Sequence, residues 1–86
     1  MRRLKQPSHE AAIRRLKRAH GHLGATLNLA RKKRPCLELA RQLQAAEAAI
    51  GAAKREFIHG QLQVSIAGGD ADNATLRQLR QLARYL

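Results

Sequence analysis

The chain has one cysteine, one phenylalanine, one tyrosine and no tryptophan in 86 residues. A lone thiol excludes an intrachain disulfide, and with it the stapled scaffold of many small secreted proteins. With Phe57 and Tyr85 as its only aromatics, the sequence lacks the stacking platforms that bind single-stranded nucleic acid. No run approaches the roughly 18 apolar residues of a membrane span. Met1-Arg2-Arg3 has the charge of a signal-peptide start, but no apolar run follows it. Proline occurs only at positions 7 and 35, and Gly68-Gly69-Asp70 is the one strong internal breaker, so long helices are free to form. Acidic residues are also scarce: six Asp+Glu face 17 Lys+Arg, for a formal charge of +11.

That charge is unevenly spread. Residues 1–34 carry 11 of the basic side chains and a single acid, Glu10, whereas residues 35–86 are close to neutral. Such asymmetry is the footprint of a polyanion-binding surface. A single domain over residues 1–86 buries only about 60–65% of its unfolded surface, so a lone copy is marginally stable. The expectation is a cytoplasmic, oligomeric, anion-binding protein with no membrane partner.

Hydrophobic spacing divides the chain into three helices, roughly 8–31, 36–66 and 73–85. Ser8 is positioned to cap the first, whose stripe runs Ile13, Leu16, His20, Leu23, Leu27, Ala30 at alternating intervals of three and four. Arg14, Arg15 and Arg18 fall on the opposite arc, with Lys17 at its flank. The second helix carries Cys36, Leu39, Leu43, Ala46, Ile50, Ala53, Phe57, Gln61 and Val64, and is rich in alanine, which suits close helix approach. Gly68 and Gly69 end it, and Asp72 or Asn73 can cap a third helix bearing Leu76, Leu79, Leu82 and Leu86.

These helices cannot close a core alone. A middle helix of about 45 Å leaves apolar length uncovered, and a second copy covers it most simply. The fold expected is all-α: an antiparallel dimer forming a four-helix bundle, with the third helix available to join dimers into a dimer of dimers. Cys36 and Gln61 lie 25 residues apart, about 37 Å along the helix, yet on nearly the same face. In an antiparallel pair, Cys36 therefore meets residues 61–65 of the other chain. The same register sets Glu47 of one chain near Lys54 of the other, where such pairs fix alignment more than they add stability.

The segments Ile13-Arg14-Arg15-Leu16-Lys17-Arg18-Ala19-His20-Gly21-His22-Leu23, Pro35-Cys36-Leu37, Gln42-Leu43-Gln44-Ala45-Ala46 and Phe57-Ile58-His59-Gly60-Gln61-Leu62 together resemble the CsoR/RcnR/FrmR family of small helical bacterial repressors. Their order, spacing and charge layout carry the likeness; no single tetrapeptide does. The resemblance implies dimers assembled into tetramers, double-stranded operator DNA bound without a helix-turn-helix, and release by copper, nickel, cobalt, formaldehyde or a sulfur signal. It implies no enzyme activity. A mutase-type helical enzyme would need a carboxylate–basic constellation inside the bundle, and only Glu47 and Lys54 approach one.

On this resemblance, DNA is contacted by Arg14, Arg15, Lys17 and Arg18, with Arg55 as a further candidate; read from the residues alone, the same cluster is also consistent with a solvated helix face. His20, on the apolar stripe, reads as a packing residue. Cys36 is by itself either a small buried hydrophobe or a thiol placed in the positive field of a helix N-terminus beside Lys33 and Arg34; the resemblance makes it the effector-sensing residue. Gln61 and Ser65 of the partner subunit line its site, where metal-sensing members place His and then Cys or His. An amide and a hydroxyl are poor ligands for Cu(I) or Ni(II), so a transition-metal ion, if bound, would rely on Cys36 with His59, or with His9. No second cysteine exists for persulfide sensing. A small electrophile such as formaldehyde, acting on Cys36 with the Met1 amine or Lys5 nearby, is the expected inducer. The alternatives are a metal-responsive repressor with an atypical site and a basic architectural nucleic-acid-binding protein with no effector.

Overall fold

A computed structural model describes residues 8–69 and 72–86. Three helices follow in order: α1 (Glu10–Arg31), α2 (Cys36–Ala67) and α3 (Asn73–Ala83). They match the expected elements to within two residues at each end, and no strand occurs among the described residues.

The helix ends show where the expected signals acted and where others replaced them. Ser8 does not cap α1. The N-cap is His9, whose side chain makes no capping bond; its ring instead meets Phe57 edge-on, with centroids 4.9 Å apart. Only its carbonyl serves the helix, accepting from the Ile13 N–H at 2.8 Å. At the other end the chain reverses through Lys33, a non-glycine residue at φ 55°. The Lys33 N–H donates to the Ala30 carbonyl and the Arg34 N–H to the Leu29 carbonyl, both at 3.0 Å, which is the double closure of a Schellman motif. Pro35 then opens α2, its carbonyl accepting from the Glu38 and Leu39 amides at 3.0 and 3.4 Å. Gly68 ends α2 and Gly69 turns the chain at φ 70°. Asp72 caps α3 through a 2.7 Å bond from the Thr75 N–H to its Oδ1.

α1 and α2 form an antiparallel hairpin. Ala12 and Ala19 from α1, with Ala46, Ala49 and Ala53 from α2, are buried, so small side chains let the two backbones approach. His22 of α1 bonds Gln42 of α2, Nδ1 to Oε1 at 2.9 Å, and Arg15 reaches Glu56 at 3.6 Å. The expected packing stripe of α1 is thus displaced by one residue. Ile13, Leu16, Leu23 and Leu27 are 41–57% exposed and His20 is exposed; the seam within the chain uses the alanine face beside them. Leu43 and Ile50 of α2 are likewise 44% and 46% exposed.

The buried apolar residues of the described chain are five alanines and Ile58. This is too little for a self-sufficient core, and the shape agrees. The molecule extends 54 × 22 × 19 Å with a radius of gyration of 17.3 Å, against about 12 Å for a compact domain of this length. α3 folds beside the C-terminal half of α2, where Thr75 is buried and Gln61 shares a cavity with Gln78, Gln81, Leu82, Arg84 and Tyr85. No helix of the described residues is long and apolar enough to cross a membrane.

Candidate nucleic-acid interface and thiol site

The hairpin has two unlike faces. On one, Leu16, Ile50, Ala53, Phe57 and Ile58, with Lys54, line an apolar groove of about 430 Å³, joined by Leu82 of α3 and by Tyr85 just beyond that helix. On the other, cationic side chains stand along α1. Residues 48 and 50 of α2 are separated by about 200° of helix rotation, which is why a single helix serves both faces.

Arg14, Arg15, Lys17 and Arg18 are all exposed, and Arg14, Arg15 and Arg18 surround a surface hollow of about 300 Å³ over Ala11. Arg15 is the member engaged within the chain, through Glu56, both side chains remaining more than two-fifths exposed. Glu56 is a competitor that the sequence reading missed; the antiparallel pairing of residues near 15 with residues near 56 would have revealed it. Arg55 is exposed and folds back along its own helix, its Nη1 3.4 Å from where a Cβ on Gly51 would stand. All five sequence-derived cations are therefore accessible, and Arg14, Arg15 and Arg18 share one hollow.

Cys36 is exposed and unbonded at the first position of α2, so within the chain it is not a buried packing residue. Of the two cations beside it, Arg34 is committed to Glu38 one turn on: Nε donates to Oε2 at 3.1 Å and Nη2 to Oε1 at 2.7 Å. Those bonds hold the Glu38 carboxyl below the ordinary carboxylate range and raise Arg34 above its own. Lys33, exposed, is left as the cation nearest in sequence.

Gln61 and Ser65 are buried in their own chain, the Gln61 Nε2 donating to the Ser65 Oγ at 3.2 Å. His59 is exposed, while His9 lies on Phe57; neither stands near Cys36 along the helix. Among the described residues no three His, Cys, Asp or Glu side chains gather into a metal-binding group. A soft metal ion does not fit the residues of one chain, and Cys36 with an amide and a hydroxyl from a second chain would offer only one soft donor. Met1 and Lys5, the amines considered for a carbonyl effector, lie outside the described residues.

A family model described as metal-sensitive transcriptional repressor matches residues 8–85. No curated protein matches the chain, and no solved structure does. The matched family consists of repressors and not of enzymes, in agreement with the expectation from sequence, and its description names metals and no electrophile. With 8–85 of 86 residues covered, the chain belongs to the metal-sensitive transcriptional repressor family of the CsoR/RcnR/FrmR type.

Proposed function

We propose that this repressor binds double-stranded operator DNA through Arg14, Arg15, Lys17 and Arg18, with Arg55, and lets go when an effector acts at Cys36. The observation that carries the reading is the two-faced hairpin: a basic face along α1, and on the other side large aliphatics left uncovered. The uncovered side suits a second copy of the chain. Leu16, Leu23, Leu43 and Ile50 would supply the core that the single chain lacks, giving an antiparallel four-helix dimer and, through α3, a dimer of dimers in the cytoplasm.

In that dimer Cys36 would approach Gln61 and Ser65 of the partner subunit. A small electrophile such as formaldehyde suits a lone accessible thiol. The sulfur adds to the carbonyl carbon and the carbonyl oxygen takes up the proton, leaving an S-hydroxymethyl group. Condensation with an amine, losing one water, would give an S–CH2–N bridge. The second reading, release by a metal ion held by Cys36 with His59 or His9, is favoured by the family's description.

An operator-release assay separates them. Wild type and Cys36→Ala are bound to DNA from upstream of the gene and challenged with formaldehyde, Cu(I), Ni(II), Co(II) and polysulfide. Release of wild type by formaldehyde alone, lost in Cys36→Ala, supports the electrophile reading; release by a metal ion alone supports the second. Sequence-blind binding that no effector relieves would replace both with an architectural role.

A further inference from the structure

Between the two helices, on the basic face, runs a trough of about 330 Å³ lined by Arg15, Arg18 and His22 from α1 and by Ala45, Ala48, Ala49 and Ala52 from α2. Ala49 belongs to the buried helix–helix seam together with Ala46 and Ala53. The other three do not: Ala45 and Ala52 are half-buried and Ala48 is exposed. Helix propensity does not demand alanine there, since Leu, Gln, Glu and Lys are nearly as favourable and ordinarily fill solvent-facing positions.

The three alanines belong to a longer stripe. Positions 41, 45, 48, 52 and 55 follow at intervals of four and three, and both ends are arginine. Arg41 and Arg55 are exposed and stand about 21 Å apart along the helix. The Arg55 side chain reaches back one turn along α2, its Nη1 3.4 Å from where a Cβ on Gly51 would stand. The carboxylate nearest Arg41 in sequence, Glu38, takes its hydrogen bonds from Arg34, while Arg41 also adds to the field that favours its charged form. The opposite wall is braced by the His22–Gln42 bond.

We propose that this trough seats one phosphodiester strand of duplex DNA, an inference that rests on the DNA-binding reading above. Ala45, Ala48 and Ala52 form a floor low enough for the strand to lie against α2. Arg15 and Arg18 line one wall, and Arg41 and Arg55 hold phosphates at the two ends. Arg41 is thereby a DNA contact, and the alanines act by their size and not by any charge.

Binding to a labelled mixed-sequence duplex is measured by fluorescence anisotropy over a range of salt for wild type, Ala48→Leu, Arg41→Ala and Arg18→Ala, with circular dichroism to verify helix content. Ala48→Leu keeps the charge and a favourable helix former, and is expected to weaken binding roughly tenfold. Arg41→Ala is expected to reduce the slope of log K against log salt by about 0.9. If Ala48→Leu binds within about twofold of wild type while Arg18→Ala is weakened, the trough is refuted and the DNA face stands. Should Arg18→Ala also bind as wild type, the DNA reading itself fails. Tighter binding to duplex RNA or to polyglutamate than to DNA overturns the proposal in favour of that partner.

Discussion

Arg15 on α1 and Glu56 on α2 stand 3.6 Å apart across the hairpin, so one of the cations proposed to meet DNA already has a carboxylate neighbour. The pair is well exposed, and such pairs contribute about 0–1 kcal/mol. Glu56 therefore does more against a polyanion than it does for the fold. Glu56→Gln is expected to leave the thermal midpoint nearly unchanged while raising duplex affinity several-fold at low salt, an advantage that shrinks as salt rises. Titration of both proteins at two ionic strengths checks this; equal affinities at low salt would show that Arg15 does not touch phosphate.

The turn between α1 and α2 carries a measurable strain. Lys33 holds φ 55° in the Schellman closure, a conformation that costs a non-glycine residue about 1–2 kcal/mol. Lys33→Gly removes the Cβ conflict but adds unfolded-state entropy, so a net gain of about 1 kcal/mol is expected. Lys33→Ala is the control: it deletes the same charge, keeps the Cβ and should gain nothing. Thermal or urea melts of the three proteins decide it, and equal stabilities for Gly and Ala variants would defeat the strain argument.

Helix number, order and approximate ends were legible in the hydrophobic spacing, and so was the paired-glycine stop; the α3 cap was narrowed to Asp72 or Asn73, and the structure uses Asp72. The face of α1 used within the chain was not. Ile13, Leu16, Leu23 and Leu27 make a strong stripe, and the neighbouring set Ala12, Ala19 makes a weak one. Periodicity ranks stripes by hydrophobicity, whereas the hairpin selects the set that lets backbones come close. The large aliphatics remain for a surface that a single sequence does not depict. Lys33 was invisible for a similar reason: the αL position is recognised by glycine, and there is none. Candidate cations could be assigned to one side of α1 from rotation alone. The Arg15–Glu56 and His22–Gln42 pairings needed the register of the hairpin, and on the proposed dimer the surroundings of Cys36 would come from another chain.

That other chain can be tested through charge. Glu47 and Lys54 are exposed on the same side of α2 as Leu43 and Ile50, and neither has an ion-pair partner among the described residues. In the antiparallel dimer proposed above, each Glu47 would face Lys54 of the partner subunit, twice by symmetry. Glu47→Lys and Lys54→Glu should each weaken association, by about 1 kcal/mol or somewhat more over the two pairs. The double swap restores both pairs and should recover most of that loss. Sedimentation equilibrium gives the dissociation constants. Purely additive losses in the double variant would mean that the two residues never meet, and the register would have to be redrawn.

The effector question turns on donor chemistry at positions 61 and 65. Gln61 and Ser65 bond to each other, buried beside α3, and supply neither imidazole nor thiolate to a soft ion. Installing those donors should convert a weak site into a strong one, provided that Cys36 approaches them from the partner subunit. Gln61→His with Ser65→Cys is expected to bind Ni(II) or Cu(I) at least about tenfold more tightly than wild type. The added affinity should vanish on Cys36→Ala. Competition against a chromogenic chelator reads both effects without reference to DNA. A double variant that gains metal affinity but keeps all of it without Cys36 would show a site made within one chain, and would remove Cys36 from the vicinity of residues 61–65.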